Sequence, residues 1–393
     1  MEKYSLISGA CVAALGAVLM AGCQKNPTMV ETVPENVVER PAEFISLEEV
    51  AGILSSLPLG PGQMEEVHDA ASASAGNGYD EEYRMQDLFA TPGAGVGDDV
   101  TKAGKTYERP LRDLFREAVQ ATRAGEAETE AWLDSLCVSD VQIYWPFSDG
   151  WDGKSLPVVT FDPGDGSERN VGYALKADGS VEKVLVDEQM ASQQPVWVVN
   201  RNSDADYKSL ELRRREDPAW GQGGGDILIR STRAQADFKT LVLRSFVAHR
   251  QYDSWLSGGS EFFVKLGSVE DFRASTEAEL RLYQPSVTDF MIVVRRSQVE
   301  EELPFNAVLV SEWTDQLHAC AFMVIEDDGG TRTSWKASAT VKYNSKQYGI
   351  DVEIPLYTRD DIVWRGSLTR SYIERYSGQP ARYGDIELVL ELI

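Results

Sequence analysis

Histidine is scarce in this chain, and cysteine is barely more common. Among 393 residues there are three histidines (His68, His249 and His318) and four cysteines. No histidine sits in an HExxH pair or beside a GxSxG elbow, so the sequence carries no mark of a zinc peptidase or a serine hydrolase. There is no CxxC pair and no Cys/His cluster, which argues against a structural zinc site of ordinary spacing. His249 and His318 lie among apolar residues of candidate strands and read as hydrogen-bonded structural histidines. Basic side chains are also short: 38 Lys and Arg face 63 Asp and Glu, a net charge of -25. So acidic a surface repels nucleic acid and anionic lipid, and neither is expected as a partner. It favours solubility, and it can collect cations. After residue 23 no stretch is apolar for the ~20 residues that cross a bilayer.

What is present begins at the N-terminus. Lys3 gives a charged start, residues 6–20 form an apolar run of 15, and Ala21-Gly22 precede Cys23. That order suits a secretory signal whose apolar region is too short to span. Leu19-Met20-Ala21-Gly22-Cys23 resembles the bacterial lipobox, with Met20 where that family favours Leu. The resemblance implies cleavage before Cys23, diacylglycerol on its sulfur and an acyl chain on the new amino group. Two or more chains make a stable anchor, so the body is expected to sit on a membrane through its lipid. No aspartate follows the cysteine, and no acidic run does either: Gln24, Lys25 and Asn26 come next. By resemblance to sorted lipoproteins, this favours the outer membrane and its periplasmic face. The layout as a whole resembles Bacteroidetes-type lipoproteins. Cys11 falls in the signal, leaving Cys137 and Cys320 in the body. Both have apolar neighbours and read as small buried hydrophobes; an oxidising compartment also permits a disulfide between them.

Four regions follow: a signal peptide at 1–22, a flexible tether at 23–45, a helical segment with a small β-rich domain at 46–205, and a β-sandwich domain at 226–393. The tether is rich in Pro, Glu and Asn. Ser46 with Glu49 forms a capping box, and Leu47, Val50, Ile53, Leu54 and Leu57 recur at helical spacing until Pro58 and Gly60. Residues 58–104 read as loop-rich, with a short helix near 80–89. The Gly-rich run 91–98 lacks the Lys-Ser/Thr of a phosphate loop and reads as plain loop. Helices are expected at 110–124 and 127–136. From 138 the pattern turns to β, with strands at 141–145, 157–161, 171–175, 181–186 and 196–200. The turns Asp152-Gly153, Pro163 to Gly166 and Asp178-Gly179-Ser180 separate them and argue an antiparallel sheet. Residues 201–225 are polar and then Gly-rich, the best internal boundary. Beyond it, eight strands are expected at 240–249, 261–266, 289–295, 307–311, 318–325, 335–343, 349–354 and 386–392, with a short helix at 366–375. The fold class is therefore α+β, with a C-terminal sandwich.

Two groups of residues carry candidate chemistry. The loop 145–153 (WPFSDGWDG) places Trp145, Phe147 and Trp151 beside two carboxylates. Aromatic faces with polar neighbours suit a sugar ring, although tryptophans around a tight turn also serve as core. The second group is acidic: Asp253, Asp327 with Asp328, and Asp360 with Asp361. The stretch 240–266 resembles the opening of a C2-type sandwich, in which Asp-bearing loops gather calcium. Calcium takes six to eight oxygens from converging loops, so the resemblance implies a possible Ca2+ site at these aspartates; no other cofactor is expected. Among 63 acids some pair will meet in space, and a glycosidase needs only that, but no such pair is legible. The expectation is a membrane-anchored envelope protein that binds a glycan or a protein partner without catalysis. The alternatives are an envelope hydrolase using paired carboxylates and a structural assembly protein.

Overall fold

A computed structural model describes residues 45–90, 107–176, 178–202, 207–216 and 238–393. Cys23 and the lipobox, the tether up to residue 44, the loop 91–98 and the Gly-rich stretch 220–225 lie outside the described residues. The described residues belong to one compact unit, 43–393. None of its helices is long and apolar enough to cross a membrane.

The chain opens with α1 (Leu47–Ser56), capped as its sequence requires: the Ser46 hydroxyl accepts the Glu49 N–H at 3.4 Å. Next comes α2 (Pro61–Gly76), which replaces much of the expected loop. Its buried face is built from Met64, Val67, Ala70, Ala71 and Ser74 with Gln63 and Glu66, small and polar residues that blur the helical pattern. Pro61 at its first turn and Gln63, which bonds the Gly60 N–H at 2.9 Å, start it. β1 (Glu82–Arg84) and α3 (Met85–Phe89) follow, then α4 (Leu111–Thr122) and α5 (Glu126–Cys137).

β2 (Val141–Tyr144), β3 (Val158–Phe161), β4 (Arg169–Leu175), β5 (Val181–Asp187) and β6 (Val196–Arg201) complete a six-stranded sheet in the order β1-β2-β6-β3-β4-β5. It is not wholly antiparallel. The four-residue helix α6 (Glu188–Ala191) carries the chain back so that β6 runs parallel to β3. Residues alternate across the sheet as strand geometry demands. Val141, Ile143, Trp197 and Val199 face the helices in one core. Tyr144, Val196 and Val198 face the other way, onto Trp255 and Leu256.

A short helix α7 (Leu210–Glu216) occupies part of the stretch read as a boundary. The sandwich then contains β7 (Phe238–Ala248), β8 (Ser260–Ser268), β9 (Ser286–Val294), β10 (Leu303–Thr314), β11 (Leu317–Glu326), β12 (Arg332–Tyr343), β13 (Lys346–Tyr357) and β14 (Asp361–Thr369). It ends with α8 (Arg370–Tyr376), β15 (Gln379–Tyr383) and β16 (Ile386–Leu392). One sheet has the order β10-β7-β16-β15; the other runs β13-β12-β11-β8-β9, with β14 also on β11. Two strands were not expected. β14 takes half of the region read as helix, because Thr369 caps α8 only at its end. β15 is a polar edge strand that tolerates Pro380. Asn344 and Ser345, with φ of 47° and 62°, form the two-residue hairpin turn between β12 and β13.

β8 is buried along its whole length. One face joins the sandwich core. Over the other lie β13 and Tyr207, whose ring meets Phe263 edge-on at 5.0 Å. Both body cysteines are free thiols: Cys320 in the sandwich core and Cys137 at the end of α5.

Candidate metal centre

The acidic centre is assembled at the junction of the first sheet and the sandwich. β8 and β11 are antiparallel neighbours with Phe262 opposite Glu326, and the Asp327 N–H donates to the Glu261 carbonyl at 3.1 Å. On its other side Glu326 is paired with Asp361 of β14. Glu261 therefore sits near the start of β8 and Glu326 at the end of β11, side by side.

Asp253 comes from the connection between β7 and β8. That loop is fastened to the first sheet. Trp255 and Leu256 are wholly buried against it, the Trp255 indole N–H reaches the Glu168 carbonyl at 3.0 Å, and the Asn200 amide bonds the Leu256 and Ser257 carbonyls at 3.2 and 2.6 Å. Arg296 holds the loop from the sandwich side, donating to the carbonyls of Gly258 (2.9 Å) and Asp253 (2.6 Å). The Asp253 side chain is thus delivered to a fixed place.

There, one carboxylate oxygen from each of Asp253, Glu261 and Glu326 lies within 4.8 Å of the other two. Glu326 is fully buried and neither of its oxygens makes a well-formed hydrogen bond, although the nearby Ser260 hydroxyl tempers the rise of its pKa; the Asp253 Oδ2 has no partner either. Burying an ionised carboxylate without partners is heavily penalised. Burial, with the Asp253 carboxyl beside it, holds the Glu326 carboxyl far above the ordinary carboxylate range. Asp253 is pushed up too, first by burial. Asp328, at the rim, rises to about 6 through burial and the charge of Asp253. Without a cation the pair must keep a proton.

A neighbouring acid group shows a different solution. Asp289, Asp327 and Asp360 surround Lys265, whose nearly buried ammonium stands 3.9 Å from Asp289 and 4.8 Å from the Phe263 ring. A lysine supplies the positive charge there. Near the triad, Arg296 spends its bonds on backbone carbonyls and lies 3.7 Å from Glu188, and its charge only partly offsets the rise at Asp253.

Three carboxylates offer only hard oxygen ligands, the donor set of calcium, magnesium or manganese. The three oxygens lie close enough together for one divalent cation to touch all of them. A cavity of about 480 Å³ adjoins the triad, lined by Asp253, Glu261, Asp327, Asp328, Asp162 and Phe161 among others. It leaves room for the remaining ligands. A second cavity, of about 540 Å³, shares Asp327 and Asp328 and contains Lys265 and Asp360.

Of the five aspartates singled out from the sequence, Asp253 belongs to the triad. Asp327 and Asp328 form the wall between the two cavities, and Asp327 Oδ1 is occupied by the Gly329 N–H at 2.8 Å. Asp360 lines only the second cavity, where it accepts the Tyr357 N–H at 2.6 Å. Asp361 is exposed at the start of β14, close enough to Asp328 to raise its pKa. Glu261 and Glu326 escaped the sequence reading because they look like polar ends of apolar strands. The signal that marks them is a glutamate in each of two strands that are otherwise almost wholly apolar or buried.

The aromatic loop divides. Trp145 is 1% exposed and packs on Trp197, Trp151 and His68 at 5.9, 5.6 and 5.7 Å between ring centres. It serves chiefly as core, although it also borders the cavity described next. Phe147 and Trp151 are half-buried and line a cavity of about 330 Å³. No known protein family matches the chain, and neither a curated protein nor a solved structure matches it.

Proposed function

We propose that this chain is a non-catalytic, divalent-cation-binding protein of the cell envelope, tethered to the membrane through lipid on Cys23. One observation carries the cation reading: a fully buried Glu326 carboxylate without a well-formed hydrogen bond, facing two further carboxylates. A divalent cation such as calcium would replace the proton retained between Glu326 and Asp253. The position of the triad supports a role in fixing structure. Asp253 belongs to the loop that docks the sandwich onto the first sheet, so a bound ion would tie β8 and β11 to that junction. The lipid anchor rests on the resemblance of residues 19–23 to a lipobox.

The paired-carboxylate hydrolase has less support. A general acid must reach the leaving group, whereas Glu326 is enclosed and does not line the cavity. The decisive experiment is calorimetric titration of the EDTA-stripped protein with calcium and with magnesium. Saturable binding of one divalent cation is the expected result. Absence of heat with either ion, together with unchanged thermal unfolding, would sink the proposal.

A further inference from the structure

A second site lies away from the acidic centre, on the loop that follows β2. Phe147 has φ 59° and ψ 29°, the left-handed region. For a bulky aromatic residue this is an outlier that costs free energy and persists only where surrounding contacts enforce it. Those contacts are plain. The buried Glu81 carboxylate accepts the N–H of Phe147 at 3.3 Å and both the N–H and hydroxyl of Ser148 at 3.0 Å. Arg295 secures the next residue, Asp149, at 3.2 Å. The outcome is a phenyl ring held half-exposed at the rim of the 330 Å³ cavity.

The facing wall is equally fixed. The Trp151 indole N–H donates to the Ser155 carbonyl at 3.1 Å, and its ring rests on His68 at 5.2 Å. Its ring also borders the cavity, as do Gln193 and Gln194 of the turn after α6, both exposed. Their side-chain amides make no hydrogen bond among the described residues. Aromatic rings and free amides lining one cavity supply the two kinds of contact a pyranose takes, an apolar surface for its C–H face and polar groups for its hydroxyls. The volume lies within the ~300–1,000 Å³ of small-ligand sites. Asp149 and Asp152 border the same cavity, so anionic sugars are repelled.

We infer that the cavity between Phe147, Trp151 and the Gln193–Gln194 turn is a binding subsite for one unit of a neutral saccharide. This reading is independent of the cation proposal, because none of the three triad carboxylates borders the cavity.

The test uses the full chain and a panel of neutral probes: cello-, malto-, manno- and xylo-oligosaccharides, titrated by calorimetry in the presence of EDTA. At least one is expected to bind. Trp151→Ala is expected to weaken that binding tenfold or more. Phe147→Gly relieves the left-handed strain but gives up the ring's packing on the core of Tyr144, Val196 and Trp255; titrated well below its unfolding midpoint, it is expected to lose binding tenfold or more. Three results would each overturn the assignment: no probe binds, both variants bind normally, or Phe147→Gly unfolds several degrees lower with binding intact. Binding that requires calcium would move the sugar to the acidic centre and overturn it as well.

Discussion

Glu326 closes β11 with its carboxylate beside that of Asp253, and neither Glu326 oxygen makes a well-formed hydrogen bond. Such an arrangement is stable only with a shared proton or a cation between the acids. If calcium binds the folded protein alone, a hundredfold excess over Kd adds about 2.7 kcal/mol, and the melting midpoint rises by a few degrees. Glu326→Gln keeps the shape and removes the charge. It is expected to unfold at or above the midpoint of the cation-free parent and to bind calcium at least tenfold more weakly. Scanning calorimetry of both proteins with calcium and with EDTA checks this; an equal calcium shift in parent and variant would refute the role of Glu326.

Glu81 sets a second, pH-dependent expectation. Burial, and then the neighbouring Asp80 charge, push its carboxyl from 4.5 to about 7; Arg295 and the Ser148 hydroxyl oppose the rise, and Asp149 adds to it. The folded state therefore holds a proton that the unfolded chain has released. Stability must fall as pH rises from about 4.5 through 7, by up to ~3 kcal/mol for a shift of this size. Glu81→Gln retains an acceptor for Ser148 and removes that slope. Urea midpoints should coincide for parent and variant near pH 5 and favour the variant near pH 8. A variant equally offset at both pH values would show that Glu81 does not titrate in this way.

Much of this architecture is written in local patterns, and the exceptions have physical causes. The Ser46 cap, the turns around β4 and β5 and the apolar strands of the sandwich depend on neighbours in sequence, and they stand where their residues put them. α2 was hidden because its buried face relies on Ala, Ser and Gln, which carry little hydrophobic signal. The parallel contact of β3 with β6 depends on a chain reversal through α6 that no periodicity encodes. At the acidic centre, Asp253 and the 327–328 loop were visible as acids in turns. Glu261 and Glu326 were not, because they come from strands far apart in sequence that become neighbours only in the sheet, where their carboxylates converge at the strand ends. Sequence shows which carboxylates exist; pairing across strands decides which of them meet.

Two glycines test the packing. At Gly267 of β8 an added methyl would overlap the side chain of Val352 on β13, with Ile354 close behind. Gly267→Ala must lift the β12–β13 hairpin or distort β8, and overpacking of this kind costs about 1–3 kcal/mol. Gly52 within α1 has nothing within 4 Å of the same position, so Gly52→Ala should gain about 0.5–1 kcal/mol from helix propensity alone. Guanidinium denaturation of the two variants would show opposite signs. A neutral Gly267→Ala would mean that β13 does not press on β8.

The proposed lipid anchor places the membrane attachment on Cys23. If that cysteine is acylated, membrane association depends on its sulfur. In cells fed a labelled fatty acid, the parent chain should carry label and sediment with membranes. Cys23→Ser should carry none. Net negative charge opposes binding to anionic lipid, so the variant is expected in the soluble envelope fraction if the signal is still cut, or as an uncleaved precursor if processing requires the lipid. A Cys23→Ser chain that keeps its label, or a parent that never acquires one, would remove the anchor and return residues 6–20 to the role of an ordinary export signal.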